Sequence, residues 1–155
     1  MESILFVCLG NICRSPTAKA VFDWKLRRAE LAVETDSAGT TAYHVGSPPD
    51  PRAQRIARQW GLDISTERAR VVIPEDFSRF DAIFVMDRSN LEDLRARRPA
   101  DSSTRLDLVM SLAPDYGIEE VPDPYYGGVD GFQRVIDMLE VAADRLVEEL
   151  RTARQ

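Results

Sequence analysis

A thiol, a guanidinium and a hydroxyl stand close together near the start of the chain, in Cys8-Leu9-Gly10-Asn11-Ile12-Cys13-Arg14-Ser15. A thiolate is a strong nucleophile, and an arginine fork can hold two oxygens of a phosphoryl group. An apolar run, Ile4-Leu5-Phe6-Val7, precedes the eight residues, and a helical pattern follows them. The loop therefore lies between a strand and a helix N-terminus, where backbone N–H groups and the helix dipole favour an anion. The same positive field favours the thiolate form of Cys8. A cysteine after a strand is otherwise a small buried apolar residue, and a C-x5-R spacing alone occurs by chance. The flanks raise its meaning. Gly10 permits close approach of backbone to a ligand, Ser15 suits an N-cap, and Pro16 suits the first helical position.

The elements that must position this loop follow from periodicity. Ser3–Val7 reads as a buried first strand, and residues 16–28 as a helix with Ala18, Val21, Phe22 and Leu26 on one face. Val33–Ser37 is the second strand, ending at Ala38-Gly39-Thr40, and residues 43–50 form a loop. Asp50 caps a helix that Pro51 opens, carrying Ala53, Ile56, Ala57 and Trp60 and ending at Gly61. Residues 69–73 read as an extended segment and Pro74–Phe77 as a helical turn. Asp81–Met86 is the third strand. A capping box, Ser89-x-x-Glu92, starts a helix over residues 90–98. Arg105–Leu108 is the fourth strand. The last helix spans Gly131 to Arg151, with Phe132, Val135, Ile136, Leu139, Ala143, Leu146 and Leu150 in one stripe. Strands alternating with helices predict an α/β fold with a parallel sheet covered on both faces. Ligands of such sheets bind beyond the carboxyl ends of the strands, where Cys8 falls.

The chain has 155 residues, 44% of them apolar, which predicts one globular domain over residues 1–155. Its 20 basic and 26 acidic residues leave a net charge of −6, which argues against nucleic-acid binding. An acidic surface does not exclude an anionic substrate, because salt screens charges beyond about 8 Å. No apolar run approaches a membrane span. Two cysteines and no charged-then-apolar leader point to a reducing, cytoplasmic setting, with leaderless export left open. One histidine and two cysteines are too few for a zinc site, so metal-independent chemistry without a cofactor is expected.

Together with Cys8 to Ser15, the chain carries Ser37-Ala38-Gly39-Thr40, Asp50-Pro51-Arg52-Ala53, Phe80-Asp81 through Met86-Asp87, and Asp123-Pro124-Tyr125-Tyr126. In these motifs and their order it resembles the low-molecular-weight protein tyrosine phosphatases over nearly its whole length. The resemblance implies a Rossmann-like three-layer sandwich with a four-stranded parallel sheet. It implies that Cys8 attacks phosphorus and forms a cysteinyl-phosphate, that Arg14 binds the phosphoryl oxygens, and that Asp123 is the general acid. Between Pro122 and Pro124, Asp123 sits on stiff backbone, although an aspartate before proline is also a common turn residue. By the same resemblance Ser15 hydrogen-bonds the Cys8 sulfur, Asn11 holds the loop in shape, and Ser37 supports Asn11. Capping or turn roles alone remain open for these three. Leu9, Ile12, Tyr43, Tyr125 and Tyr126 are the implied pocket residues. The two adjacent tyrosines could also be packing residues or sites of phosphorylation.

Relatives that act on phosphoarginine have threonine at the position of Ile12, so Ile12 implies phosphotyrosine. The implied partner is a phosphotyrosine-containing protein, with the phosphatase a monomer or weak dimer. Cys13 is either a small core residue or a disulfide partner for Cys8 under oxidation. His44 reads as a loop or interface residue, and Arg95, Arg97 and Arg98 as a solvated helix end. Three other readings compete. Arsenate reductases share this fold but relay electrons through later cysteines, and none follows Cys13. A phosphotyrosine-binding module that has lost catalysis would need a broken nucleophile or acid, and Cys8, Arg14 and Asp123 are all present. A thiol redox sensor would use Cys8 and Cys13 without turnover.

Overall fold

The computed structural model describes residues 1–154. Strand β1 (Ser3–Cys8) is buried along its length, as its unbroken apolar sequence requires. It pairs in parallel with β2 (Glu34–Gly39) on one side and with β3 (Ala82–Val85) on the other. The fourth strand, β4 (Arg105–Leu108), extends the sheet beyond β3. The order β2-β1-β3-β4 reverses direction between β1 and β3. That reversal opens a crevice at the carboxyl edge, where connections depart to opposite sides. Cys8, the last residue of β1, faces Gly39 of β2 in register and lies at that edge.

Alternate residues of β1 feed two cores. Ile4, Phe6 and Cys8 pack with α1 (Arg14–Arg28), α2 (Pro51–Gln59) and α5 (Val129–Ala153). Leu5 and Val7 pack with α3 (Asp76–Arg79) and α4 (Arg88–Arg97) on the other face. This is the expected three-layer α/β sandwich. The stripe expected on α5, from Phe132 to Leu150, is buried throughout. Among the described residues no helix is long and apolar enough to cross a membrane.

Several local expectations need correction. Helix α1 begins at Arg14 with Cys13 as N-cap, so Ser15 does not cap it and Pro16 is its third residue. Proline is tolerated there because first-turn N–H groups have no intrahelical partner. Helix α4 is capped by Asp87, not Ser89: the Asp87 carboxylate accepts from the Asn90 N–H at 2.9 Å, and the Asn90 side chain accepts from the Asp87 N–H at 3.2 Å. Aspartate and asparagine make the same reciprocal pair that serine and glutamate would have made. The extended segment at residues 69–73 has one bridge, Val71 to Gly39. The turn after it becomes α3, starting at Asp76, and α5 starts at Val129. Two short 3-10 turns, Val109–Leu112 and Pro114–Tyr116, had no sequence signal in the periodicity. Arg97 and Arg98 are not merely solvated. Arg97 donates to the Thr40 carbonyl at 2.7 Å and pairs with Asp93, while Arg98 donates to the Ser102 and Thr104 carbonyls.

The Phe6 and Phe22 rings, 4.5 Å between centroids, join β1 to α1 directly beneath the loop. Phe22→Ala should lower stability by about 3–5 kcal/mol, because it removes a fully buried ring and leaves a cavity. Urea unfolding followed by circular dichroism measures this, and a loss below about 1 kcal/mol would contradict the packing described.

Candidate active site

The loop from Cys8 to Ser15 turns sharply at Asn11, whose φ of 59° is left-handed. Asparagine tolerates that conformation, and here its side chain is held on every polar atom. The Asn11 amide donates to Ser15 Oγ at 2.7 Å and to Ser37 Oγ at 2.9 Å, and its oxygen accepts from the Arg70 backbone N–H at 2.9 Å. Asn11 thus ties the loop to α1, β2 and the extended segment together. Arg70 is itself clamped by Asp36 and by Asp76, the latter almost fully buried. Gly39 lies directly behind the loop. A Cβ there would come within 2.9 Å of the Leu9 carbonyl oxygen, so only glycine allows β2 to back the loop this closely.

The Cys8 sulfur sits inside this cradle. The Asn11 backbone N–H donates to it at 3.3 Å, and the Ser15 hydroxyl oxygen lies 3.1 Å away. The Ala38 carbonyl, 3.3 Å from the same hydroxyl, competes for its single proton. No side chain caps α1, so its first N–H groups are open toward an anion. Arg14 is buried, with its side chain 3% exposed. Its Nη1 donates to Asp87 Oδ2 at 2.7 Å and to the Val121 carbonyl at 3.0 Å. Asp123 Oδ2 lies 3.6 Å from Nη2. Among the described residues, the Nε–Nη2 edge makes no hydrogen bond, which leaves one face of the fork for a second oxyanion. Burial disfavours the charged guanidinium, but Cys8, Asp87 and Asp123 more than offset this and raise its pKa.

Cys8, Arg14 and Asp123 line one cleft of about 460 Å³. Every expected pocket residue contributes to it: Leu9, Ile12, Tyr43, Tyr125 and Tyr126, beside Cys8, Cys13, Arg14 and Asp123. Tyr43 and Tyr126 project into solvent at the mouth, 89% and 93% exposed, whereas Tyr125 is only 38% exposed. The two adjacent tyrosines meet edge to face at 4.9 Å. Among residues without an expected role here, His44 also lines the cleft, and Gly10 lets it approach: a Cβ at Gly10 would lie 2.9 Å from His44 Cδ2. Asp87 is a second residue whose part the motifs alone did not reveal. Its place just after β3, at the carboxyl edge, was the available signal. Ser37 and Ser15 are where the resemblance implied.

A model of the low molecular weight phosphotyrosine protein phosphatase family matches residues 3–155. The chain belongs to that family. Among curated relatives, the low molecular weight phosphotyrosine protein phosphatase of Schizosaccharomyces pombe is 44% identical over 132 residues, 83% of this chain and 84% of the relative. A protein tyrosine phosphatase of Entamoeba histolytica, solved with Hepes in its active site, superposes with a TM-score of 0.93 at 39% identity, covering 100% of both chains. The fold also extends to an arginine phosphatase of Drosophila, with a TM-score of 0.90 at 32% identity over 97% of this chain and 98% of that one.

Cys8 and Cys13 are both free thiols. Burial, and then the carboxylate of Asp50, pushes the Cys13 thiol up. A raised pKa keeps the neutral thiol present through mildly alkaline pH, and the neutral thiol is a poor nucleophile. Alkylation of the native protein with iodoacetamide at mildly alkaline pH should therefore label Cys8 and spare Cys13. Peptide mass mapping reads the outcome, and comparable labelling of Cys13 would contradict its raised pKa.

Proposed function

We propose that this protein is a phosphotyrosine phosphatase in which Cys8 is the nucleophile, Arg14 the phosphate clamp and Asp123 the general acid. The observation that carries the reading is the convergence on one cleft of the Cys8 sulfur, the open edge of Arg14 and the Asp123 carboxylate. In the first step the Cys8 thiolate attacks phosphorus. The S–P bond forms, the P–O bond to the tyrosine breaks, and the Asp123 carboxylic acid gives its proton to the departing phenolate. In the second step water attacks the phosphocysteine and passes a proton to the Asp123 carboxylate. The S–P bond breaks, and inorganic phosphate leaves with the thiolate restored.

Charge in both transition states lies on the equatorial phosphoryl oxygens. Arg14 and the N–H groups at the start of α1 are suited to meet it without rearrangement. Ser15, by donating to the Cys8 sulfur, stabilises the thiolate as it forms in the second step. Asn11 and Ser37 keep the loop in the shape these contacts need. The aromatic groups of Tyr125 and Tyr43, with Leu9 and Ile12, suit the faces of a phenyl ring. The substrate class that follows is a phosphotyrosine-containing protein, and the residues named act without metal or cofactor.

Hydrolysis of an aryl phosphate in excess chelator, at pH 5 to 7, tests the core of this reading. Wild type should turn over, and Cys8→Ser should fall to background while its circular dichroism is unchanged. Substantial activity in that variant would overturn the mechanism. Ile12 lines the cleft at the position where relatives that act on phosphoarginine carry threonine. Ile12→Thr should raise the ratio of phosphoarginine to phosphotyrosine hydrolysis by about tenfold, the scale of one added polar contact. Parallel progress curves on the two substrates measure it, and an unchanged ratio would remove Ile12 as a determinant.

A further inference from the structure

The segment that carries Asp123 is weakly attached. Besides the 3.6 Å ion pair between Arg14 and Asp123, one hydrogen bond among the described residues reaches residues 122–127 from outside the segment and its helix. It runs from Arg52 Nη2 to the Tyr125 carbonyl, at 3.0 Å. Inside the segment the Tyr125 N–H donates to Asp123 Oδ1 at 3.0 Å, and the Gly127 N–H donates to the Pro124 carbonyl. Tyr125 therefore links Arg52 to Asp123: its N–H donates to the carboxylate of Asp123, and its carbonyl accepts from Arg52.

Arg52 is in turn held by several contacts. Its Nε and Nη2 grip the two Asp50 oxygens at 3.1 and 2.9 Å, a bidentate pair. The guanidinium stacks against two rings, 4.7 Å from the centroid of Phe132 and 5.6 Å from that of Tyr125. Asp50 also caps α2, accepting the Arg52 N–H at 2.8 Å, and its own N–H donates to the Ile12 carbonyl at 2.8 Å. A continuous chain of contacts thus runs from the phosphate loop at Ile12, through Asp50 and Arg52, to Tyr125 and Asp123.

We infer that Arg52 is a positioning residue that sets the Asp123 carboxylate at the right distance from the phosphate loop for proton transfer to the leaving group. It touches neither the phosphoryl group nor the Cys8 sulfur. The inference rests on the reading of Asp123 as the general acid. Lysine would not replace it, because a single ammonium cannot grip both Asp50 oxygens in the plane of a fork while reaching the Tyr125 carbonyl.

A misplaced acid has a signature that a general loss of structure does not. Proton donation matters for a poor leaving group and little for an activated one. The measurement is kcat/KM on phenyl phosphate and on dinitrophenyl phosphate for wild type, Arg52→Ala, Asp123→Asn and the double variant. Competitive inhibition by inorganic phosphate serves as the readout of the loop. Arg52→Ala should lose about 10- to 100-fold on phenyl phosphate, the scale of a misaligned catalytic group, and less than about threefold on dinitrophenyl phosphate. Its inhibition constant for phosphate should stay within about twofold, and the double variant should be no worse than Asp123→Asn alone. Equal losses on both substrates, weakened phosphate binding, or losses that multiply in the double variant would each overturn the role of Arg52. Uniform losses in Asp123→Asn itself would instead overturn Asp123 as the acid, and the inference with it. Should Arg52→Ala not fold, Arg52→Lys keeps the charge without the fork and should show the same leaving-group pattern at smaller size.

Discussion

A buried guanidinium governs the architecture of this protein. Arg14 stands at the start of α1 with 3% of its side chain exposed, and an unpaired charge there would cost several kcal/mol. Its partners come from distant parts of the chain. Asp87 arrives from the end of β3, where it also caps α4, and the Val121 carbonyl arrives from the segment that leads into α5. The Val121 N–H in turn donates to the Met86 carbonyl, so that segment is fastened to the sheet one residue before Asp87. Satisfying Arg14 thus requires β1 beside β3, α4 starting at the carboxyl edge, and the Asp123 segment drawn across the same edge. A cleft at the point where the strand order reverses is the consequence.

The loop itself is held from behind by polar groups rather than by apolar packing. Asn11 sits in left-handed backbone, and its side chain bonds to Ser15, Ser37 and the Arg70 N–H. Each of these partners is buried or clamped, so the strained turn is over-determined by its surroundings. An anion cradle made of backbone N–H groups works only if the backbone does not relax when the anion leaves. The cost of burying so many polar groups is offset because nearly all are paired, a condition apolar residues could not meet while keeping this shape.

Electrostatics in the cleft are local. The chain carries a net charge of −6, and Asp87 and Asp123 both approach Arg14. Side chains alone therefore do not make the site positive. The favourable field for an anion comes from the uncapped N-terminus of α1 and from the free edge of Arg14, acting over distances shorter than the screening length. The two carboxylates differ in what holds them. Asp87 is tied into a helix cap and a short ion pair, while Asp123 is half-exposed on a segment with few attachments. A structural partner and a group that exchanges protons need these different degrees of freedom.

The periodicity of the chain determined the layers. The unbroken apolar run of β1 and the stripes of α1 and α5 commit those residues to cores on both faces of the sheet whatever the loops do, because apolar burial dominates folding. The phosphate loop was also legible, since a short C-x5-R-S segment between a strand and a helix brings its own geometry. Cap details were not: Ser89 and Asp87 both suit an N-cap, and which one serves depends on where β3 ends. Nor did local sequence reveal that His44 would rest on Gly10, that Asp87 would neutralise Arg14, or that Arg52 would reach Tyr125. Those pairs are separated by 34, 73 and 73 positions and meet only when the sheet closes. Composition and spacing act within a few residues of one another. Pairing of charges across the carboxyl edge is decided by tertiary structure, because desolvation makes each buried charge take whichever partner the fold brings within reach.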